Sequence, residues 1–375
     1  MNRIALNMLL GDRGKYFALV LGLTFAALLL TQQASIFFGL LERSTGPLQN
    51  VGQPDLWVTD RDATFISNIR PMDIEMVNRV RSTDGVTWAE PMFMGRGIAD
   101  LPDGSFESVQ IIGIDRTTMV GRPPKILDGE LEDLRIPDAI MIQKAARPDL
   151  GNPEIGDTLI LNDRRALVVG FVEVQAGFQA DIIIFTTFDN AVEFVPLGRN
   201  RVSYVLVGVE DEADAQTVAA RISRNPRVTA HTPDELRWKT ISYIIRRTGI
   251  GVNFGITVLF GFIIGLIISA AIFYQFVTDN VRHFATLKIM GSTNRMLIRM
   301  ILTQALFAGL VGYGIGTGLA GAFSFLGRDP GAQLDVFFPW HLLVASLIAI
   351  LLVVSLASML SIWKVLRLEP AMVFN

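Results

Sequence analysis

Hydrophobic residues are concentrated in four long runs, separated by much more polar stretches. The runs cover residues 16–41, 249–277, 300–325 and 341–363, and none of them contains Asp, Glu, Lys or Arg. A helix needs about 20 mainly apolar residues to cross a bilayer, so we predict four transmembrane helices. The first run is longer than the apolar core of a signal peptide, about 7–15 residues, and no small-x-small cleavage site follows it. We therefore expect it to be a retained anchor.

The stretch between the first two runs, residues 42–248, has the pattern of a folded α+β domain. Two short helices are predicted, one from Pro71 and one over Ala213–Ser223. Strand, helix and strand follow one another at about 55–94 and again at about 202–231, an order typical of a ferredoxin-like sandwich split by a β-rich insertion at about 100–200. An amphipathic stalk helix, Pro233–Arg247, is expected to continue at about 248 into the second run. The predicted strands are 55–59, 86–94, 107–114, 157–162, 166–174, 181–187 and 202–209.

The charges beside the runs predict the orientation in the membrane. Lys and Arg accumulate in short cytoplasmic segments of membrane proteins. They are concentrated in the amphipathic N-terminal segment 1–15, the loop 278–299 and the tail 364–375, whereas the loop 326–340 has one arginine and two aspartates. We therefore expect both termini in the cytoplasm, and residues 42–248 and 326–340 outside. Arg246 and Arg247 run against this pattern, but the rule loses force for a long translocated domain.

Composition excludes several classes of protein and site. Half of the 375 residues are hydrophobic and 18% are charged, against about 25% charged residues in an ordinary globular chain. The net charge of −3 gives no reason to expect a nucleic-acid partner. Because the chain has no cysteine, disulfides and thiolate metal sites are excluded.

The sequence contains no recognisable catalytic, cofactor-binding or metal-binding constellation. His231, His283 and His341 lie in three different regions, and a phosphate-binding G-x-x-x-x-G-K-[ST] loop is absent. The uncharged runs also lack the buried ionisable groups that ion-coupled transporters use. Any transport must therefore draw its energy from elsewhere. We interpret the neutral polar residues of the runs, Gln304 among them, as partners in interhelical hydrogen bonds.

Glycine pairs with the spacing G-x-x-x-G occur in the second and third runs. Small residues at this spacing let helix backbones approach closely, so we expect them at helix contacts. A further pair, Gly314 and Gly318, has the same spacing in the third run. The predicted packing glycines are Gly251, Gly255, Gly261, Gly265, Gly312 and Gly316.

The loop after the second run carries a short amphipathic pattern. Phe284, Leu287 and Lys288 fall at helical spacing, and Gly291 stands where such a helix would end. We expect Phe284 and Leu287 to be exposed and to need a partner surface. The alternative is a helix that merely lies in the lipid headgroup layer.

The same loop carries a resemblance to a known family. Its segment R-H-F-A-T-L-K-I-M-G-S-T (282–293), followed by an apolar run with an early Gln304, resembles the FtsX-like permease signature of MacB-type (type VII) ABC systems. The tail 365–374, with Pro370 and Ala371, resembles the end of that family's chains. The order of one span, a large outer domain and three further spans agrees along the whole chain. Outer-domain segments such as 53–58 and 83–91 resemble DevC-type exporter permeases most.

The resemblance implies a membrane α-helical protein of the cell inner membrane, with a MacB-like periplasmic core domain between helices 1 and 2. It implies the permease subunit of an ABC exporter, a homodimer without its own nucleotide site, on two copies of an ATPase that binds ATP and Mg²⁺. Motion driven by ATP would be passed through the spans to the periplasmic domains, a mechanism called mechanotransmission. The permease would work with a periplasmic adaptor and an outer-membrane channel to export a lipid, glycolipid or other amphiphile. The coupling helix that contacts the ATPase would contain Val281, Arg282, Phe284, Ala285, Leu287, Lys288, Met290 and Gly291.

Two other functions within the wider family stay open at this point. One is a lipoprotein-releasing permease similar to LolC and LolE, which would be expected to act without an outer-membrane channel. The other is a signalling scaffold similar to FtsX, whose outer domain controls a cell-wall hydrolase. The length of the outer domain, residues 42–248, argues against the scaffold. The residues that contact substrate are not predicted.

Overall fold

The computed structural model describes residues 2–52, 54–175, 177, 182–195, 200–210, 213–326 and 338–366. Two compact units are formed, a helical unit from residues in 2–39, 250–326 and 338–366 and an inserted domain from residues in 40–249. Four helices in the described part of the chain are long and apolar enough to cross a membrane, at Arg13–Ser44, Ile250–Asp279, Asn294–Leu326 and Trp340–Trp363. The four predicted transmembrane helices are thereby confirmed. Most of the loop 326–340 and of the tail 364–375 lies outside the described residues.

The helices are named in chain order. They are α1 (Asn2–Gly11), α2 (Arg13–Ser44), α3 (Gly46–Asn50), α4 (Glu75–Arg81), α5 (Phe188–Phe194), α6 (Ala215–Ile222), α7 (Pro233–Arg247), α8 (Ile250–Asp279), α9 (Val281–Ile289), α10 (Asn294–Leu326) and α11 (Trp340–Leu366). The strands are β1 (Leu56–Asp60), β2 (Met72–Asp73), β3 (Val86–Asp100), β4 (Phe106–Ile114), β5 (Ile126–Asp128), β6 (Ala139–Gln143), β7 (Thr158–Leu161), β8 (Arg164–Val172), β9 (Ile182–Thr187), β10 (Arg201–Val202), β11 (Tyr204–Val209) and β12 (Val228–His231).

A single large sheet organises the inserted domain. Its order is β12-β1-β11-β3-β4-β9-β6-β8-β5, with β7 beside β3 and β8. The first four strands in this order, β12, β1, β11 and β3, pair antiparallel. α4 connects β1 to β3 and α6 connects β11 to β12, as in a ferredoxin-like sandwich. The strands β4 to β9 form the insertion, whereas β10 pairs with β2 in a separate two-stranded sheet. The predicted split sandwich is therefore confirmed.

Both faces of this sheet are covered. Ile182 and Ile184 of β9 belong to one buried cluster, whereas Ile183 and Phe185 belong to the other. Successive side chains of a strand point to opposite faces, so an uninterrupted apolar run suits a strand that is buried on both sides. Asp181, where this strand was predicted to start, lies outside the described residues.

Some elements of the inserted domain escaped prediction. β6 and α5 have no counterpart among the predicted segments, and β3 extends to Asp100 instead of ending at residue 94. Gly95 and Gly97 interrupt the apolar pattern in the second half of β3, although this half pairs along its length with β4. Glycine weakens a strand considered alone, and cross-strand pairing decides this case.

The stalk helix and the second span are separate helices. α7 starts with a capping box between Thr232 and Glu235 and ends at Arg247. Gly249 then has φ +73, in the left-handed region that glycine tolerates, and α8 begins at Ile250. The expectation that the stalk runs into the span as one helix is therefore wrong. A break at Gly249 separates the two.

Candidate functional site

α9 follows the second span after a single residue, Asn280, whose side-chain amide donates to the Phe276 carbonyl at 2.9 Å. At its far end the Gly291 N–H donates to the Lys288 carbonyl at 3.1 Å, and the Ser292 N–H donates to the Leu287 carbonyl at 3.0 Å. This pair of hydrogen bonds is a Schellman motif, and Gly291 has the left-handed φ of +91 that the motif requires. A Cβ at Gly291 would meet no atom within 4 Å. Glycine is therefore required here by the backbone conformation of the turn, and not by a close contact with another part of the chain.

The sequence interpretation of Phe284 is wrong. Its side chain is fully buried in the helical unit, in a cluster with Phe276 of α8 and Leu297 of α10. Ala285 is buried as well, and Val281 and Leu287 pack partly against the same cluster. The apolar spacing therefore marks the face that holds α9 to its own unit, because the ends of α8 and α10 cover it.

The opposite face of α9 is the exposed one. It presents Arg282, His283 and Thr286 together with two large apolar side chains, Ile289 and Met290, the second of which directly follows the last residue of the helix. Ile289 is 48% exposed and Met290 is 78% exposed. Residues at spacings of three and four share a face of a helix, which brings these five side chains together. Ile289 is not among the residues that the sequence predicted for the coupling helix. Its position on the face opposite Phe284 was the signal that could have indicated its exposure.

The N-terminal segment is tied to the base of the bundle. Lys15 bridges Asp12 at 2.7 Å and Asp279, the last residue of α8, at 2.5 Å. The buried Gln304 of α10 donates from its amide nitrogen to the Ala5 carbonyl of α1 at 2.7 Å. The interpretation of Gln304 as an interhelical hydrogen-bonding residue is confirmed. α1 and α2 thereby secure the two helices that flank α9.

Glycines set the helix contacts of the helical unit. A Cβ at Gly265 would lie 2.6 Å from the Cβ of Ala26, and one at Gly316 would lie 2.6 Å from the Thr24 carbonyl oxygen. Gly312 would likewise meet α2 at 2.7 Å and Gly261 would meet it at 3.5 Å, so α2 packs against both α8 and α10. α11 also contacts α8 and α10.

Two predicted packing positions behave differently. Gly255 is exposed and a Cβ there would meet no atom within 4 Å, so its predicted packing role within the chain is wrong. Gly251 is half-buried. Gly314 and Gly318 are open as well, although they repeat the spacing of Gly312 and Gly316. Close contact is therefore a property of one face of α10 and not of the spacing itself.

The three histidines do not form a common site. His231 lies 3.0 Å from the ammonium of Lys239, and burial, followed by the nearby Lys239 charge, lowers the pKa of His231 to about 4. His231 is consequently neutral near pH 7. His341 packs edge-on against Phe38, and His283 lies on α9. Within the described ranges no group of three or more His, Asp or Glu side chains is arranged to hold a metal ion.

Two family models match the chain. Residues 16–225 match the MacB-like periplasmic core domain, and residues 255–370 match the FtsX-like permease C-terminal region. None of the curated proteins matches the chain by sequence.

Solved structures are similar to the chain at low identity. The periplasmic region of MacB from Actinobacillus actinomycetemcomitans is 18% identical, with a TM-score of 0.40 over 53% of this chain and 95% of that chain. The extracellular domain of the noncanonic ABC-type transporter YknZ from Gram-positive bacteria is 16% identical, with a TM-score of 0.37 over 48% and 99%. A domain of a putative permease from Porphyromonas gingivalis is 12% identical, with a TM-score of 0.29 over 47% and 85%.

The match to the periplasmic core domain covers more than half of the chain, and the match to the C-terminal region covers most of the last three spans. The core-domain match includes most of the first span and most of the inserted domain, and the C-terminal match follows it with most of the last three spans. The two matches therefore occur in the same order as the elements of the four-span architecture. The chain therefore belongs to the family of ABC-transporter permeases that combine a MacB-like periplasmic core domain with an FtsX-like C-terminal region.

Proposed function

We propose that this chain is the membrane subunit of an ABC-type exporter that couples ATP hydrolysis on a separate ATPase to movement of its periplasmic domain. The observation that carries the proposal is the exposed face of α9 in the FtsX-like region. Ile289 and Met290 are exposed and offer apolar surface to a partner, while the buried Phe284 packs the opposite face of the helix against its own unit. A helix held on one face and apolar on the other is suited to transmit a push from a docked protein.

A path for the movement is supported by the connections along the chain. α9 lies between α8 and α10 in the sequence and is packed against the ends of both, so displacement of α9 displaces those helices. α8 is joined through Gly249 to α7. α7 is part of the inserted domain and is held to its loop after β1, where the Thr240 hydroxyl accepts from the Ile66 N–H at 3.1 Å. We propose mechanotransmission along this route, with two copies of the permease on two ATPase subunits.

We further propose that the periplasmic domain meets an adaptor that leads to an outer-membrane channel, as in DevC-type systems. An exposed apolar patch at one end of the sheet supports this. Ile98, Phe106 and Ile160 are 51%, 68% and 41% exposed, and the pairing of Asp100 with both Phe106 and Ile160 brings them to one face. Contiguous exposed apolar patches are typical of protein interaction sites. An amphiphile is the proposed cargo.

The proposed orientation is tested by cysteine labelling, which the absence of native cysteine makes clean. Ser105→Cys and Asn152→Cys are expected to react with a membrane-impermeant maleimide in cells with a permeabilised outer membrane. Ser292→Cys is expected to react only after the inner membrane is opened. Labelling of Ser292→Cys in intact spheroplasts would reverse the topology.

The proposed partner is tested by purification of the tagged chain from detergent-solubilised membranes. We expect an ABC ATPase to co-purify, and we expect ATP hydrolysis by the complex but none by the isolated chain. Mutation of the catalytic glutamate of the co-purified ATPase is expected to abolish all hydrolysis. Hydrolysis that persists in the isolated chain, or a complex without any ATPase, would contradict the proposal.

A further inference from the structure

A cavity of about 370 Å³ lies inside the periplasmic domain. Phe65, Ile69, Tyr243 and Ile244 supply apolar walls. The polar part of the lining comes from Asn68, Arg96, Gln110, Ser44, Ser67 and Thr248. The side-chain oxygen of Asn68 is buried and has no hydrogen-bond partner within the described part of the chain. An unpartnered buried acceptor is costly unless something else donates to it. The volume falls in the range of roughly 300–1,000 Å³ that small-molecule sites occupy.

A basic groove adjoins this cavity. It is lined by Arg61, Lys239, Arg246 and Arg247, against the single carboxylate of Asp62. Asp62 is itself 3.5 Å from Arg70. Within the described ranges no ion pair joins Arg246 or Arg247 to an acidic side chain. The groove therefore has an uncompensated positive charge, which suits a phosphate or another anion.

Tyr243 lines both the cavity and the groove, so the two lie side by side at this residue. Its ring stacks on Phe65 with centroids 4.7 Å apart. The loop that carries Phe65 is held in place on both sides, because the Ile66 N–H donates to Thr240 and the Ile66 carbonyl accepts from Tyr204. The apolar wall and the cationic rim are thus fixed relative to each other.

The position of the site in the chain places it next to a membrane span. Arg247 is three residues before Ile250, where α8 begins, and three residues reach at most about 10 Å. Ser44, which also lines the cavity, is the last residue of α2. The basic rim therefore lies within reach of lipid headgroups. This accounts for Arg246 and Arg247, the two residues that run against the charge pattern of the short loops.

We propose that this composite site binds an anionic amphiphile, with the apolar part in the cavity and the anionic headgroup on Arg246 and Arg247. The inference rests on the proposed export function and assigns its cargo to the class of anionic amphiphiles. The same chemistry is offered by two sources, a transported molecule and a resident anionic membrane lipid.

Photolabelling of the full-length permease in phosphatidylcholine nanodiscs tests the site. The probe is phosphatidylglycerol with a diazirine on its acyl chain, and phosphatidylcholine with the same chain is the matched probe. We expect phosphatidylglycerol to label residues 65–69 and 243–244, and we expect Arg246→Gln with Arg247→Gln to lower that labelling roughly tenfold or more. Ile69→Trp, which fills the cavity, is expected to lower the labelling as well.

The controls separate the alternatives. Arg164→Gln with Arg165→Gln, an exposed arginine pair on β8, is expected to leave labelling unchanged. Equal labelling by both probes, or complete competition by inorganic phosphate, would overturn the proposal. Loss of the label on adding ATPase and ATP identifies cargo, and retention identifies a resident lipid. Because ATPase co-purification with the same variants is measured separately, failure of this site is distinguishable from failure of the proposed function.

Discussion

Gly316→Leu is expected to prevent α2 and α10 from packing and to leave little folded protein. A Cβ at this position would lie 2.6 Å from the Thr24 carbonyl oxygen, 2.7 Å from the Ala27 Cβ and 2.9 Å from the Leu28 nitrogen. Two of these three atoms are backbone, which cannot turn aside as a flexible side chain can. Overpacking lowers the free energy of unfolding by about 1–3 kcal/mol where the neighbouring atoms can move. Because the backbone of α2 cannot move aside, we expect a larger loss of stability here. The measurement is the thermal midpoint of the detergent-solubilised protein, which should fall by at least about 5–10 °C.

Gly318→Leu is the matched control for this prediction. It lies two residues further along α10, has the same helical context, and a Cβ there would meet no atom within 4 Å. We expect a yield and a thermal midpoint close to those of the unchanged protein. Equal loss in both variants would show that added bulk in α10 is harmful in itself, and the close contact with α2 would not be the cause.

Ile289→Ala with Met290→Ala is expected to abolish stable ATPase association while the permease stays folded. The two side chains are the large apolar groups on the exposed face of α9. Burial of such a side chain is worth about 1.5–3 kcal/mol, and loss of about 3 kcal/mol in total weakens binding roughly a hundredfold. The measurement is ATPase co-purification together with the thermal midpoint of the isolated permease, which should stay unchanged.

Phe284→Ala separates docking from folding on the same helix. Its side chain is fully buried, so removal should destabilise the helical unit by about 3–5 kcal/mol and lower the thermal midpoint. Any loss of ATPase binding in this variant should therefore follow the loss of folded protein. Normal co-purification of the ATPase with the Ile289 and Met290 double variant would contradict the docking role of α9. It would favour the alternative, in which the helix only lies in the lipid headgroup layer.

The architecture of this protein was accessible from its sequence because it rests on local patterns. Four uncharged runs of sufficient length predict four spans irrespective of their neighbours. In the inserted domain, the order of strands and helices around β1 and β11 predicted the split sandwich, since such connections follow few topologies. The amphipathic pattern of Pro233–Arg247 likewise predicted α7 from the sequence alone.

The proposed functional surfaces depend on tertiary neighbours. Phe284 and Ile289 are both apolar residues of α9, and only the ends of α8 and α10 decide which of them is covered. The glycine pairs Gly312/Gly316 and Gly314/Gly318 have one spacing, yet α2 lies against only the first. The cavity joins a loop after β1 to α7, far apart in the chain. Sequence periodicity therefore determined which helices and faces exist, whereas the packing of distant elements decided which apolar residues became core and which stayed free to bind, because hydrophobicity favours either fate.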